Sequence, residues 1–228
     1  MTDTLAARLH AVEALIQAAV ARREHAGGPA VRLIGVSKRQ PLDKLFAAHD
    51  AGLRDFGENY AQELRDKQQD WPSDRSCRWH YIGALQSNKL KYLVGKVDLI
   101  HTVDRLELIE AIDRRAATLD SVQEILLEVA IAGETQKAGA PVDALPDLLR
   151  ACARTTHLRC VGLMIIPPDE DDPEAARRWF RLLREHRDRL REDLADLPPG
   201  RVSLEHLSMG MSADYEQAIE EGATLVRV

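Results

Sequence analysis

A closed (β/α)8 barrel of the TIM type, an α/β fold with one extra helix at its N-terminus, is what the sequence predicts, and three observations predict it. Short runs rich in Val, Ile and Leu recur eight times along the chain. Amphipathic stretches of helical period separate them at a spacing too long for hairpins, which implies a parallel sheet with right-handed crossovers. Length agrees: 228 residues fit a compact barrel without a large appended domain. Residues 1–228 are therefore expected to form a single barrel domain, with residues 1–28 as a helix packed on it. An open doubly wound sheet is the competing architecture, but no Gly-rich dinucleotide fingerprint follows any early strand.

Residues 4–24 place Leu5, Leu9, Val12, Leu15, Ile16 and Val20 near helical spacing with Arg and Glu opposite, and Gly27-Gly28-Pro29 ends that helix. Residues 31–38 form an apolar strand buried on both faces that closes in Ser37 and Lys38. Pro41 opens a second helix and Gly52 stops it. A strand at 54–57 leads into Glu58, Asn59 and Tyr60 and a helix over 61–69. The pattern repeats with a strand at 79–83, helical residues 90–94 and a strand at 97–103, after which Asp104 can cap the helix carrying Leu106, Leu108, Ile109 and Ile112. Further strands fall at 124–130, 158–164, 202–207 and 224–228, with helices at 143–155, 173–195 and 213–221 between them.

Composition excludes several function classes. No window approaches the eighteen or so apolar residues of a membrane span, and the first ten residues lack the apolar core of a secretory signal. A net charge of -6 argues against an electrostatic nucleic-acid binder, and the Arg-rich stretch 177–191 alternates with acids as a solvated helix face does. Cys77, Cys152 and Cys160 are odd in number and widely spaced, so the chain is expected in a reducing cytoplasm without disulfides.

In a parallel barrel every loop after a strand faces one mouth, so Lys38, Asn59, residues 86–89, Met164, Ser208 and Arg227 can converge there. Lys38 at a strand end reads either as a chemical group or as a lysine snorkelling into water. Leu207-Ser208-Met209-Gly210-Met211-Ser212 lies before a helix starting near Ala213, where Gly210 permits a bend and free N–H groups suit an anion. Alternatively Ser212 is an N-cap, with Met209 and Met211 in the core, and both readings can hold together. Asp214 fits the first helical turn but would repel a phosphate if it pointed inward. A lysine attacking a carbonyl must be neutral, and burial lowers its usual pKa of about 10.4. Lysine plus an anion loop points to a phosphorylated aldehyde held as a Schiff base, of which pyridoxal phosphate is the commonest cofactor. Arg227 reads either as a group beside that site or as an exposed strand-end charge. Cys77 with His80 lacks the further ligands of a metal site, and His206 beside Glu205 is an acid/base pair or a hydrogen-bonded core histidine.

Val36-Ser37-Lys38, Phe56-Gly57-Glu58-Asn59-Tyr60, residues 79–89 from Trp79 through Gln86 to Lys89, Gly162-Leu163-Met164 and the 207–212 segment together resemble the pyridoxal phosphate homeostasis protein family. The resemblance implies a barrel like the N-terminal domain of alanine racemase and a cofactor set of Lys38, Asn59, Met164, Ser208, Met209, Gly210, Ser212 and Arg227. In that set Lys38 bonds pyridoxal 5'-phosphate, residues 208–212 hold its phosphate and Arg227 faces the pyridine nitrogen. It implies a cytoplasmic, monomeric carrier or regulator of vitamin B6 and amino-acid pools that passes cofactor to apo-enzymes, with no catalytic activity, no metal and no nucleic-acid or membrane partner.

A barrel-type amino-acid racemase or decarboxylase is the alternative. Racemisation needs a base on each face of the cofactor, and an arginine on the pyridine nitrogen weakens the electron sink. The family resembled continues past strand eight into a segment ending in Phe-Gly, whereas this sequence stops at Val228. The expectation is about tenfold weaker cofactor binding than with such a segment.

Overall fold

The computed structural model describes residues 4–24, 29–132, 138–197 and 199–228. Helix α1 (Leu5–Ala21) begins where the Thr4 hydroxyl accepts from the Ala7 amide, a cap for an otherwise unpaired N–H. Strand β1 (Arg32–Val36), α2 (Leu42–Asp50), β2 (Asp55–Glu58), α3 (Ala61–Gln69) and β3 (Arg78–Tyr81) follow. A 3-10 helix (Ser87–Tyr92) leads to β4 (Leu99–Val103), α4 (Leu106–Ala117), β5 (Gln123–Glu128), α5 (Leu145–Arg154) and β6 (Leu158–Met164). Next come α6 (Pro173–Asp193), β7 (Val202–Met211), α7 (Tyr215–Glu220) and β8 (Leu225–Arg227). Each strand pairs in parallel with its successor, and β8 returns to β1 with Arg32 beside Leu225 and Ile34 beside Arg227. The closed eight-stranded barrel with an N-terminal helix is thus the fold observed.

Closure divides the buried residues. Outward strand positions and helix faces share one large core, which includes Phe56, Leu64, Trp79, Ile109 and Phe180. Ile34, Leu99, Leu126, Val161, Met164 and Leu225 pack together separately, as inward strand positions do inside a barrel. Beside them the buried residues Asp55, His80, His101, Ser208 and Arg227 make the interior unusually polar.

Several boundaries differ from the sequence reading. The proposed stop of α1 at Gly27 and Gly28 lies outside the described residues. Its buried stripe is Leu9, Ile16 and Ala19, while Leu15 and Val20 are exposed, because the helix is covered along one narrow side by α2 and α7. Strand β1 is shorter than 31–38 and only Ile34 in it is fully buried; between its outer face, α1 and α2 lies a cavity of about 390 Å³. Asp104 does not cap α4: Arg105 takes the N-cap position, and the Asp104 carboxylate binds the Arg105 guanidinium. Strand β7 runs four residues past the predicted 207 and α7 starts only at Tyr215, so most of the presumed loop is extended strand.

Candidate functional site

Arg227 centres the carboxyl end of the barrel. Its guanidinium is 4% exposed and donates to Ser208 Oγ at 2.8 Å and to the Ile165 carbonyl at 2.9 Å. Burial lowers its pKa to about 10, with Asp214 and Glu128 opposing, so it stays charged near neutrality. The exposed-charge reading of Arg227 is therefore wrong. Sheet register sets Met164 beside both Ser208 and Glu128, and all three are buried.

The 208–212 segment divides. Ser208 is fully buried, Met209 packs in the outer core, and Met211 and Ser212 are exposed. Gly210 has φ 90°, and a Cβ there would lie 2.6 Å from Ala218 Cβ and 2.9 Å from Tyr215 Cα, so the strand meets α7 only because the side chain is absent. Ser212 is not the N-cap. Asp214 occupies that position and accepts from the Met211 amide at 2.6 Å. Burial is the chief reason the Asp214 carboxyl is raised, and it lies 8% exposed, close to Arg227.

Lys38 lies across the β1–β8 seam. The Val36 amide donates to the Val228 carbonyl at 2.8 Å, and Lys38 emerges two residues later in an exposed turn. The backbone on both sides of it is tied down. Lys67 Nζ donates to the Ser37 carbonyl, Glu58 Oε1 and Glu63 Oε1 at 2.6, 2.6 and 2.7 Å. Ser37 Oγ donates to Glu58 Oε1 at 2.6 Å, and the Arg39 amide donates to Glu63 Oε1 at 2.6 Å. Arg39 has φ 59°, a left-handed conformation costly for a residue with a Cβ, so these bonds hold a strained turn. On the next strand end, Asn59 Oδ1 is buried without a hydrogen-bond partner. A Cβ on Gly83 would come within 2.1 Å of the Asn59 carbonyl, so the segment just after β3 needs a glycine for Asn59 to sit there.

Residues 86–89 do not join this group. Ser87 and Asn88 line an open groove against α4, and no hydrogen bond links the segment to Lys38, Ser208 or Arg227 among the described residues. Cys77 and His80 part company: burial pushes the Cys77 thiol up to about 12, while His80 turns inward to Asp55 and His101. No group of three metal-ligating side chains occurs among the described residues. His206 binds Thr224 Oγ1 at 3.1 Å rather than Glu205, a hydrogen-bonded interior histidine.

Two features escaped the sequence reading. His101 Nδ1 lies 2.9 Å from Ser208 Oγ. Glu128, 5% exposed, faces a cavity of about 540 Å³ with Ile166, Met211 and Asp214; burial, then the nearby Asp104, push its carboxyl to about 7 against the pull of Arg227. Both lie inside apolar strands, where a single polar letter carries no signal of direction.

The family model for the alanine racemase N-terminal domain matches residues 11–228. The chain is 43% identical over 202 residues to the pyridoxal phosphate homeostasis protein of Aquifex aeolicus, covering 89% of this chain and 86% of that one. It is 42% identical over 199 residues to the homologous protein of Pseudomonas aeruginosa, covering 87% and 81%. The solved structure of PipY from Synechococcus elongatus with pyridoxal phosphate bound superposes with TM-score 0.83 at 32% identity, over 99% of this chain and 97% of that one. Alanine racemase of Clostridium difficile shares the fold alone, with TM-score 0.67 at 11% identity over 93% of this chain and 54% of that one.

Proposed function

The chain belongs to the pyridoxal phosphate homeostasis protein family, and from that premise we propose that it binds pyridoxal 5'-phosphate covalently through Lys38 and serves vitamin B6 and amino-acid homeostasis. One observation carries the reading: a lysine on a braced turn and a buried arginine stand on adjacent strands that close the barrel. The residues fit the cofactor. Asn59 Oδ1 is a buried acceptor still without a partner, and Arg227 is a cation with an ordered hydrogen-bond frame. When bound, the cofactor supplies an aldehyde for a lysine amine and a phosphate for hydrogen-bond donors.

In this reading Lys38 provides the amine. Arg227 would face the ring nitrogen and, being a cation, would keep it unprotonated. Met164 would contact the cofactor, and the segment from Ser208 to Ser212 would receive the phosphate. The protein acts as a monomeric cytoplasmic carrier or regulator without turnover of its own, and apo-enzymes are its acceptors.

Borohydride reduction of the loaded protein followed by peptide mapping tests this. A pyridoxyl adduct on Lys38, and loss of the visible absorbance band in Lys38→Ala, are expected; adducts confined to other lysines would refute it. The racemase or decarboxylase reading has one observation in its favour, the near-neutral carboxyl of Glu128 at the mouth. Racemisation needs a base on each face of the cofactor, and in that reading Lys38 and Glu128 would have to stand on opposite faces. Incubation with single amino-acid enantiomers decides between them: sustained turnover abolished by Lys38→Ala would establish an enzyme.

A further inference from the structure

A continuous hydrogen-bonded line of buried side chains crosses the barrel interior. Asp55 Oδ1 lies 2.9 Å from His80 Nε2, His80 Nδ1 lies 3.0 Å from His101 Nε2, His101 Nδ1 lies 2.9 Å from Ser208 Oγ, and Ser208 Oγ lies 2.8 Å from Arg227 Nη1. Five strands contribute one residue each: β2, β3, β4, β7 and β8. The line is anchored at its far end by Arg78, whose guanidinium holds both oxygens of Asp55 at 2.7 and 2.6 Å.

The two ends of this line fix what its terminal groups do. Burial would raise the Asp55 carboxyl, but hydrogen bonds from Arg78 and His80 outweigh it and hold the group well below the usual carboxylate range, so Asp55 only accepts. His80 must then carry its proton on Nε2. His101 bridges the next gap, with Nε2 against His80 Nδ1 and Nδ1 against Ser208 Oγ. Burial, with His80 and Arg227 adding to it, keeps His101 well below its ordinary pKa, so that ring carries one proton and offers one donor and one acceptor along the line. Arg227 can only donate, so Ser208 Oγ accepts from it, and the same fully buried oxygen lies within hydrogen-bond distance of His101 Nδ1.

We propose that Asp55, His80 and His101 are positioning residues that hold the buried Ser208 hydroxyl between His101 and Arg227, making Ser208 the acceptor that orients Arg227 and keeping its hydroxyl from the cofactor phosphate. The inference rests on the cofactor reading above and alters it at one point: Ser208 serves the ring end of the ligand, not the phosphate end. Met164 beside Ser208 and the Ile165 carbonyl on Arg227 Nη2 leave the guanidinium little freedom once Ser208 is fixed.

The test compares dissociation constants for pyridoxal 5'-phosphate and for pyridoxal, which lacks the phosphate, in the wild-type chain and in Ser208→Ala, His101→Leu and His101→Gln. Ser208→Ala and His101→Leu are expected to weaken both ligands by the same factor, about tenfold, leaving the preference for the phosphorylated ligand unchanged. Both are also expected to shift the absorbance maximum of the bound ligand. His101→Gln keeps one acceptor and one donor, and is expected to restore the wild-type maximum, which a purely structural role for the ring would not require. Combining Ser208→Ala with His101→Leu is expected to add little to either alone.

A fall in phosphate preference of tenfold or more in Ser208→Ala would show that its hydroxyl holds the phosphate and would overturn the proposal. If His101→Leu does not fold, Ser208→Ala and His101→Gln still decide it. Failure of the wild-type chain to bind either ligand would instead remove the cofactor reading itself.

Discussion

Glu128 shows how much a single side chain at the mouth contributes once the barrel closes over it. Its folded-state pKa near 7 lies above the ordinary carboxyl value of 4.5, so the folded protein holds this proton more tightly than the unfolded chain does. The stability it contributes is fully present below pH 4.5 and is lost as pH rises to about 7. The size is roughly 3 kcal/mol at most. Glu58 and Asp214 are raised as well and slope the same way, whereas Asp55 is lowered and acts only at more acid pH. The difference between the wild-type chain and Glu128→Gln isolates the group. Urea unfolding at a series of pH values is expected to show the wild type losing stability relative to Glu128→Gln across that window, and parallel curves would mean that Glu128 titrates as an ordinary surface acid. At this scale the sequence singled out Lys38, Ser208 and Arg227, because a strand end is a recognisable place, and the structure joins the last two by a hydrogen bond. Asp55, His101 and Glu128 stayed hidden, because which face of a strand turns inward is decided by closure.

At the scale of elements, the turn after β1 depends on α3 through one buried lysine. Lys67 is 6% exposed and neutralises Glu58, which is wholly buried, while also holding the Ser37 carbonyl. Lys67→Met leaves the Glu58 charge without its partner, a change that costs about 3 to 5 kcal/mol. The same substitution frees one side of the strained Arg39 turn, so cofactor affinity is expected to fall together with stability. The pair Lys67→Met with Glu58→Met is expected to regain most of the stability, since apolar groups replace a buried ion pair at little cost, without regaining the affinity. Denaturant midpoints and absorbance titration read the two effects separately; a Lys67→Met midpoint equal to wild type would disprove the account. Element boundaries were legible where punctuation was strong. The predicted 61–69 and 158–164 match α3 and β6, but β7 and α7 were misdivided, since Gly210 reads as a turn in the sequence and lies, at positive φ, within a strand pressed on a helix.

For the molecule as a whole, the site and the closing seam of the barrel are one object. Lys38 follows β1 and Arg227 lies on β8, and the seam is held by three register pairs with hydrogen bonds between Val36, Ile34 and Val228. The closed barrel that the sequence predicts sets strand eight beside strand one, and the structure pairs them although they are the strands farthest apart in the chain. A ligand bonded to Lys38 and facing Arg227 bridges both strands, so it binds only the closed barrel and must stabilise the folded state globally. At a free concentration of one hundred times the dissociation constant, that linkage contributes about 2.7 kcal/mol. In a chain of this length each kcal/mol moves the midpoint by about 2 to 4 °C, so pyridoxal 5'-phosphate is expected to raise Tm by roughly 5 to 10 °C. Lys38→Ala at the same concentration is expected to show a much smaller rise, its weakened binding leaving it far from saturation. Calorimetry of both forms, with and without the cofactor, makes the measurement. A wild-type Tm that does not move, while absorbance shows the cofactor bound, would mean that the ligand is held without the β1–β8 seam and that Lys38 and Arg227 do not share it.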